Sequence, residues 1–262
     1  MTKRASGSRT AAASEQPAEG LNLTPLQPLS LKEQAKQELK RLIDDGALRP
    51  GDRLPSEREL SEQLHVSRGT VREAVQFLRA LGLVEIRHGA GTFVSDASGD
   101  HEALGAGWRD WTMRHAARVR ELIEVRKGLE TLAAELASVR QKPEGLESMT
   151  RALDQKEAAA DTHDVAALVQ ADVQFHRGIA EATGNRALVE LVTLLGDQLL
   201  RERAALLDSE DRSRQSIAEE REILAAILAK EPSLARGALI HHLDSVDASV
   251  AQLVAEREGE SS

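Results

Sequence analysis

From about residue 31 onward, apolar positions recur every three to four residues over most of the chain, and a short β-prone stretch interrupts that helical period. Residues 31–46 carry Ala35, Leu39, Leu42 and Ile43 on one side and end at Gly46, which predicts an amphipathic helix. The pattern sharpens between residues 54 and 94. Ser56, with Glu59 three residues on, forms a capping box, and Leu60 and Leu64 give the following helix its apolar side. His65 and Val66 break that pattern. Ser67 then caps a second helix with Val71, Ala74, Val75 and Leu78 at helical spacing, and Gly82 stops it. Two β-prone runs, 83–86 and 92–94, flank a turn containing His88, Gly89 and Gly91, which suits a hairpin. Helix, tight turn, helix and hairpin is the outline of a winged helix-turn-helix.

Residues 95–101, SDASGDH, form a polar linker, and everything after them reads as helix. The segments expected are 102–114, 117–140, 143–159, 164–183, 185–207, 211–229 and 232–256, divided at Lys142-Pro143, Gly184-Asn185 and Glu231-Pro232. The expected fold class is therefore mainly α: an N-terminal winged helix-turn-helix domain followed by an all-α antiparallel helical bundle. The domains run 1–28 as a disordered tail, 29–95 as the winged helix, 96–117 as linker and linking helix, 118–256 as the bundle, and 257–262 as a tail.

Composition narrows the core and the compartment. The chain is 41% apolar but 2% aromatic, so Leu, Ala, Val and Ile must fill the interior. It has no Cys, which excludes disulfides and thiolate metal sites, and no apolar run approaches the roughly 20 residues that span a membrane. Lys3 and Arg4 precede polar and small residues and not an apolar core, so no signal peptide is read and a cytoplasmic location is expected. The net charge of -9 runs against nucleic-acid binding until its distribution is considered. Residues 67–94 carry Arg68, Arg72, Arg79 and Arg87 against Glu73 and Glu85, while the C-terminal half holds most of the acid excess.

The charges of the helix-turn-helix fall where DNA reading needs them. Arg68 and Arg72 lie four apart at the start of the second helix, beside Ser67 and Thr70, so that end would enter a major groove. Gly69 keeps the side-chain layer thin there, and free amides at the helix start favour a phosphate. Arg58 could reach the same groove, and Arg87 and His88 would form the wing tip. A solvated basic face is the plainer alternative. The stretch resembles the DNA-binding domain of the GntR superfamily, in PGDRLPSERELSEQLHVSRGTVREA and GLVEIRHGAGTFV. That resemblance implies a transcription regulator contacting double-stranded DNA through Arg58, Ser67, Arg68, Gly69, Thr70, Arg72, His88 and Gly89.

A second constellation lies in the bundle. Asp172 and His176 are four apart, within or beside the stripe of Leu168, Phe175 and Ile179; Glu220 sits between Ile217, Leu224 and Ile227; His242 lines up with Leu239, Val246 and Val250. Burying such groups singly costs several kcal/mol each, so they should pair with one another or share a cation. Groups half exposed at stripe edges are the alternative. Residues from about 119 to 253 look like the ligand-binding domain of the FadR subfamily, called FCD, in which DVQFHRGI matches an Asp-x-x-x-His metal motif. The resemblance implies a divalent ion (Zn, Ni, Mn or Fe) on Asp172, His176, Glu220 and His242, with Glu220 standing where the family usually has His. Arg126, in EVRKGLETLAAELA, matches a position that often faces the ligand pocket, and its fork suits a carboxylate. Its alternative is an internal pair with Glu130 or Asp172. The implied effector is a small organic acid: a hydroxy acid, sugar acid or dicarboxylate.

The whole reads as a homodimeric regulator, a repressor of a short palindromic operator released by its effector, and not as an enzyme. The chain has no HExxH, and a Glu220 used as ligand leaves no obvious general base for a metalloenzyme. A DNA-binding protein whose bundle only dimerises is the third reading. Trp108 and Trp111 are expected to pack the linking helix between domains.

Overall fold

The computed structural model describes residues 31–87, 89–96 and 101–260; the tail expected over 1–28 and His88 lie outside the described residues. The winged helix is built from α1 (Leu31–Asp44), α2 (Glu57–Leu64), α3 (Arg68–Ala80) and the antiparallel hairpin β1 (Val84–Arg87) and β2 (Gly91–Val94). Both expected caps form: Ser56 and Glu59 complete a capping box, and the Ser67 hydroxyl accepts the Thr70 amide. Leu39, Leu60, Val71, Leu78 and Val94 close the core between helices and hairpin. Residues 51–54 bond alongside β2, where Leu54 N donates to Thr92 O and Val94 N to Asp52 O, so the wing is held on two sides.

The linking helix α4 (His101–Arg114) leads into α5 (Ala116–Arg140), α6 (Pro143–Asp161), α7 (Val165–Ala182), α8 (Arg186–Gln198), α9 (Leu200–Leu207), α10 (Glu210–Leu228) and α11 (Pro232–Glu260). The last helix thus continues past residue 256, where a tail was expected to begin. Gly145 and Gly178 let α6 and α7 cross closely: a Cβ on Gly145 would lie 2.0 Å from the Ala182 backbone nitrogen. The sequence predicts one helix over 185–207, and the structure breaks it. Leu199 leaves helical backbone (φ -107°, ψ 12°), and its amide turns back to the Gly196 carbonyl. Gly196 is a weak helix former, and the bend buries Leu199 completely.

That bend aims α9 at the winged helix. Leu200, Ala204 and Leu207 share a core with Leu81, Leu83, Leu104 and Trp108. The Trp108 indole donates to Leu81 O at 2.7 Å, and Arg201 of α9 donates to Ala80 O at 3.0 Å. Arg109 of α4 holds Asp208, just after α9, at 2.6 Å. Among the described residues no helix is long and apolar enough to cross a membrane.

Candidate DNA-binding face and polar core

Arg68 and Gly69 stand exposed at the N-terminus of α3, beside the exposed Ser67. A Cβ on Gly69 would meet only Ser67 Oγ, at 3.6 Å, so nothing inside the chain demands glycine there. Arg72 lies one turn on, exposed, with its guanidinium across both Glu57 oxygens at 3.1 and 2.7 Å. Arg58 pairs with Glu62 at 2.8 Å. Thr70 differs from its neighbours: it is buried, and its hydroxyl bonds Ser67 Oγ at 2.9 Å, so it builds the cap. On the wing Gly89 has φ +73°, the left-handed turn that glycine tolerates, and Arg87 packs over the Phe93 ring.

The bundle interior holds a connected set of buried charges. Arg126 donates to Glu130 at 2.7 Å, and Glu130 in turn lies 2.7 Å from His176 Nδ1. His242 is stacked on His176, and its Nδ1 is 2.7 Å from Glu219. His176, Glu220 and His242 offer ligand atoms that all lie within 4.8 Å of one another. Both His176 ring nitrogens and Glu220 Oε2 are buried without a hydrogen-bond partner, whereas His242 Nδ1 is bonded to Glu219, the kind of outer support that metal-binding imidazoles use. Asp172 Oδ2 stands 4.0 Å from His176 Nε2, but its oxygens are bonded to cations: Lys156 Nζ lies 2.7 Å from Oδ1 and Arg203 Nε 2.5 Å from Oδ2. Beside these groups is a cavity of about 20 Å³ lined by Arg126, Arg203, Arg212, Ser216 and His242 among others.

The relatives of this sequence decide the family. The family "Bacterial regulatory proteins, gntR family" matches residues 31–94, and "FCD domain" matches residues 121–245. The Uxu operon transcriptional regulator of Escherichia coli K12 is 34% identical over 219 residues, covering 80% of this chain and 84% of that protein. This chain is a GntR-family transcription regulator. The HTH-type transcriptional regulator LutR of Bacillus subtilis is also 34% identical, over 213 residues, covering 79% of this chain and 94% of its own. The solved structure of a putative transcriptional regulator GntR from Rhodococcus sp. RHA1 has a TM-score of 0.50 at 23% identity, covering 86% of this chain and 99% of that one, and shares the fold. The family is one of DNA-binding transcription regulators.

Three of the four metal ligands expected from sequence are thus brought together in the regulator, and Asp172 is committed to two cations instead. Sequence reading missed Lys156, Arg203 and Arg212. Lys156 sits on the buried stripe of Met149, Ala152, Leu153 and Ala159, and is itself fully buried. A basic residue on an apolar stripe was the available signal. Lys156 Nζ also reaches Glu220 Oε1 at 2.6 Å. A divalent ion on Glu220 would have to share that carboxylate with a buried ammonium, and the two cations would repel each other. A four-ligand metal site does not fit residues held in this way.

Burial and the adjacent Arg126 charge push the His176 imidazole down to about 3. The unfolded imidazole, at 6.5, takes up its proton first, so this stability is complete above about pH 6.5 and is lost as pH falls toward 3. Burial pushes Glu220 up to about 8, and that group works in the opposite direction as pH rises from 4.5. The parent and His176→Gln chains share Glu220, so their difference reads His176 together with its effect on the neighbouring Glu130 and Asp172. Thermal unfolding between pH 6.5 and 4.5 should therefore cost the parent more stability than His176→Gln; equal losses would remove the neutral buried imidazole from the account.

Proposed function

We propose that this regulator is a homodimeric repressor of a short palindromic operator, acting in the cytoplasm and released from DNA by a small organic acid bound inside its bundle. One observation carries the effector reading. Arg126 Nη2, Arg203 Nη1 and Arg212 Nε are buried without hydrogen-bond partners, and all three side chains line the same cavity. Unsatisfied buried guanidinium donors are costly, and a carboxylate supplies the paired acceptors they lack. Arg126, the effector residue expected from the family, is then one of three. Arg68, Gly69, Arg72, Arg58, Ser67 and the wing would face the operator.

Transmission follows from which helix touches both places. Glu202, Arg203, Leu206 and Leu207 of α9 line the cavity, while Arg201 of the same helix bonds the end of the recognition helix α3. A cavity of about 20 Å³ holds roughly one water, so an organic acid enters only if the helices lining it move apart, and α9 supplies four of the lining residues. Moving α9 would shift α3 and α4, and with them the spacing of two recognition helices. Dimerisation is supported by Val125, Leu132 and Val139, exposed and seven residues apart along α5, which a second copy would cover.

The residues nearest a possible ion are His176, Glu220 and His242, and the effector reading requires no ion there. Its test is thermal unfolding against a panel of hydroxy acids, sugar acids and dicarboxylates. One acid should raise the midpoint in the parent and not in Arg203→Leu, since a ligand that binds only the folded state stabilises it. A panel that shifts nothing would leave a bundle that only dimerises.

A further inference from the structure

We infer that Lys156 is the built-in cation of the bundle, standing in place of a divalent metal ion between Asp172 and Glu220. This goes beyond the proposed function and does not depend on the effector. The Lys156 ammonium is completely buried, with Asp172 Oδ1 at 2.7 Å, Ser216 Oγ at 2.8 Å and Glu220 Oε1 at 2.6 Å. Three acceptors at these distances use all three protons that an ammonium has, so the group is saturated. It is also placed as a bridging metal would be. From α6 it ties α7, which carries Asp172, to α10, which carries Ser216 and Glu220.

Lys156 is one of four buried bases, with Arg126, Arg203 and Arg212, set among the buried carboxyl groups of Glu130, Asp172, Glu202, Glu219 and Glu220. The His242 imidazole then needs no metal to hold it, because its Nδ1 is hydrogen-bonded to Glu219 at 2.7 Å, and Glu130 stands beside the His176 ring. Taking Lys156 away would leave Asp172 Oδ1 and Glu220 Oε1 beside the free Glu220 Oε2 and His176 Nε2, a set of oxygen and nitrogen donors suited to a divalent transition metal.

The experiment measures metal content and thermal unfolding of the full chain after incubation with Zn²⁺ or Ni²⁺ and desalting. The parent should keep well under about 0.1 ion per chain, and a chelator should leave its midpoint unchanged. Lys156→Met, which keeps the length of the side chain and removes its charge, should keep about one ion per chain, and a chelator should lower its midpoint. A parent holding about one ion per chain with Lys156 intact would overturn the inference. So would a folded Lys156→Met that binds none. If that variant does not fold, the parent's metal content decides alone, because it requires no substitution. Neither readout involves an organic acid or DNA, so failure here is distinct from failure of the effector reading.

Discussion

Arg68→Ala should weaken operator binding by about thirtyfold or more while leaving thermal unfolding of the chain unchanged. A base-reading arginine is worth about 1–3 kcal/mol, and a two-fold dimer loses it at both recognition helices. Two such losses of about 1 kcal/mol already make a factor of about thirty. Arg68 is chosen over Arg72 and Arg58 because of what each holds in the free protein. Arg72 lies across Glu57 and Arg58 is paired with Glu62, so each must give up an ion pair before it can contact DNA. Gly69→Ala tests the same face independently. Its Cβ would touch only Ser67 Oγ inside the chain, so the protein should fold as before, and weakened binding would report a DNA backbone lying close to that turn. Fluorescence anisotropy on a duplex selected from a random pool measures both. Unchanged affinity in Arg68→Ala would remove α3 from the major groove.

Arg126→Ala should destabilise the protein by about 3–5 kcal/mol, the usual cost of breaking a buried ion pair from one side. The side chain is 1% exposed, and its partner Glu130 is equally buried. Burial alone would raise the Glu130 carboxyl; the Arg126 charge, with the His176 ring beside it, outweighs burial and holds the group well below the ordinary carboxylate range. Without Arg126 that anion keeps only His176 beside it. In a domain of this size the loss corresponds to a midpoint lower by about 6–20 °C. Adding Glu130→Gln to Arg126→Met should recover most of it, because a pair removed from both sides leaves no stranded charge. A single variant as stable as the parent would mean that Arg126 is compensated by a group other than Glu130.

The two halves of the chain were legible to different degrees. Ser56, Glu59 and Ser67 announce their helices by short-range chemistry, and the caps form as the spacing requires. Pro143, Asn185 and Pro232 mark helix starts for the same local reason. The break at Leu199 was not legible, because it answers to the packing of α9 against α4 and not to a local breaker stronger than Gly196. In the core, Asp172, His176, Glu220 and His242 could be placed on inward faces, but periodicity says nothing about which partner each one finds. Asp172 finds Lys156 and Arg203, from helices 16 and 31 residues away along the chain. Both bases lie on stripes otherwise apolar. Long charged side chains there are ordinarily read as reaching toward solvent, and these do not.

The most direct test of the account is release of the selected operator duplex by the organic acid that stabilises the folded protein. Anisotropy titrations in the parent and in Arg203→Leu compare affinity with and without that acid. The account predicts that the acid weakens operator binding at least about tenfold in the parent, a coupling of about 1.4 kcal/mol, and leaves Arg203→Leu bound. Operator affinity in the parent that is unmoved by a saturating, stabilising acid would contradict it, because the cavity would then bind a ligand without any connection through α9 to the recognition helix.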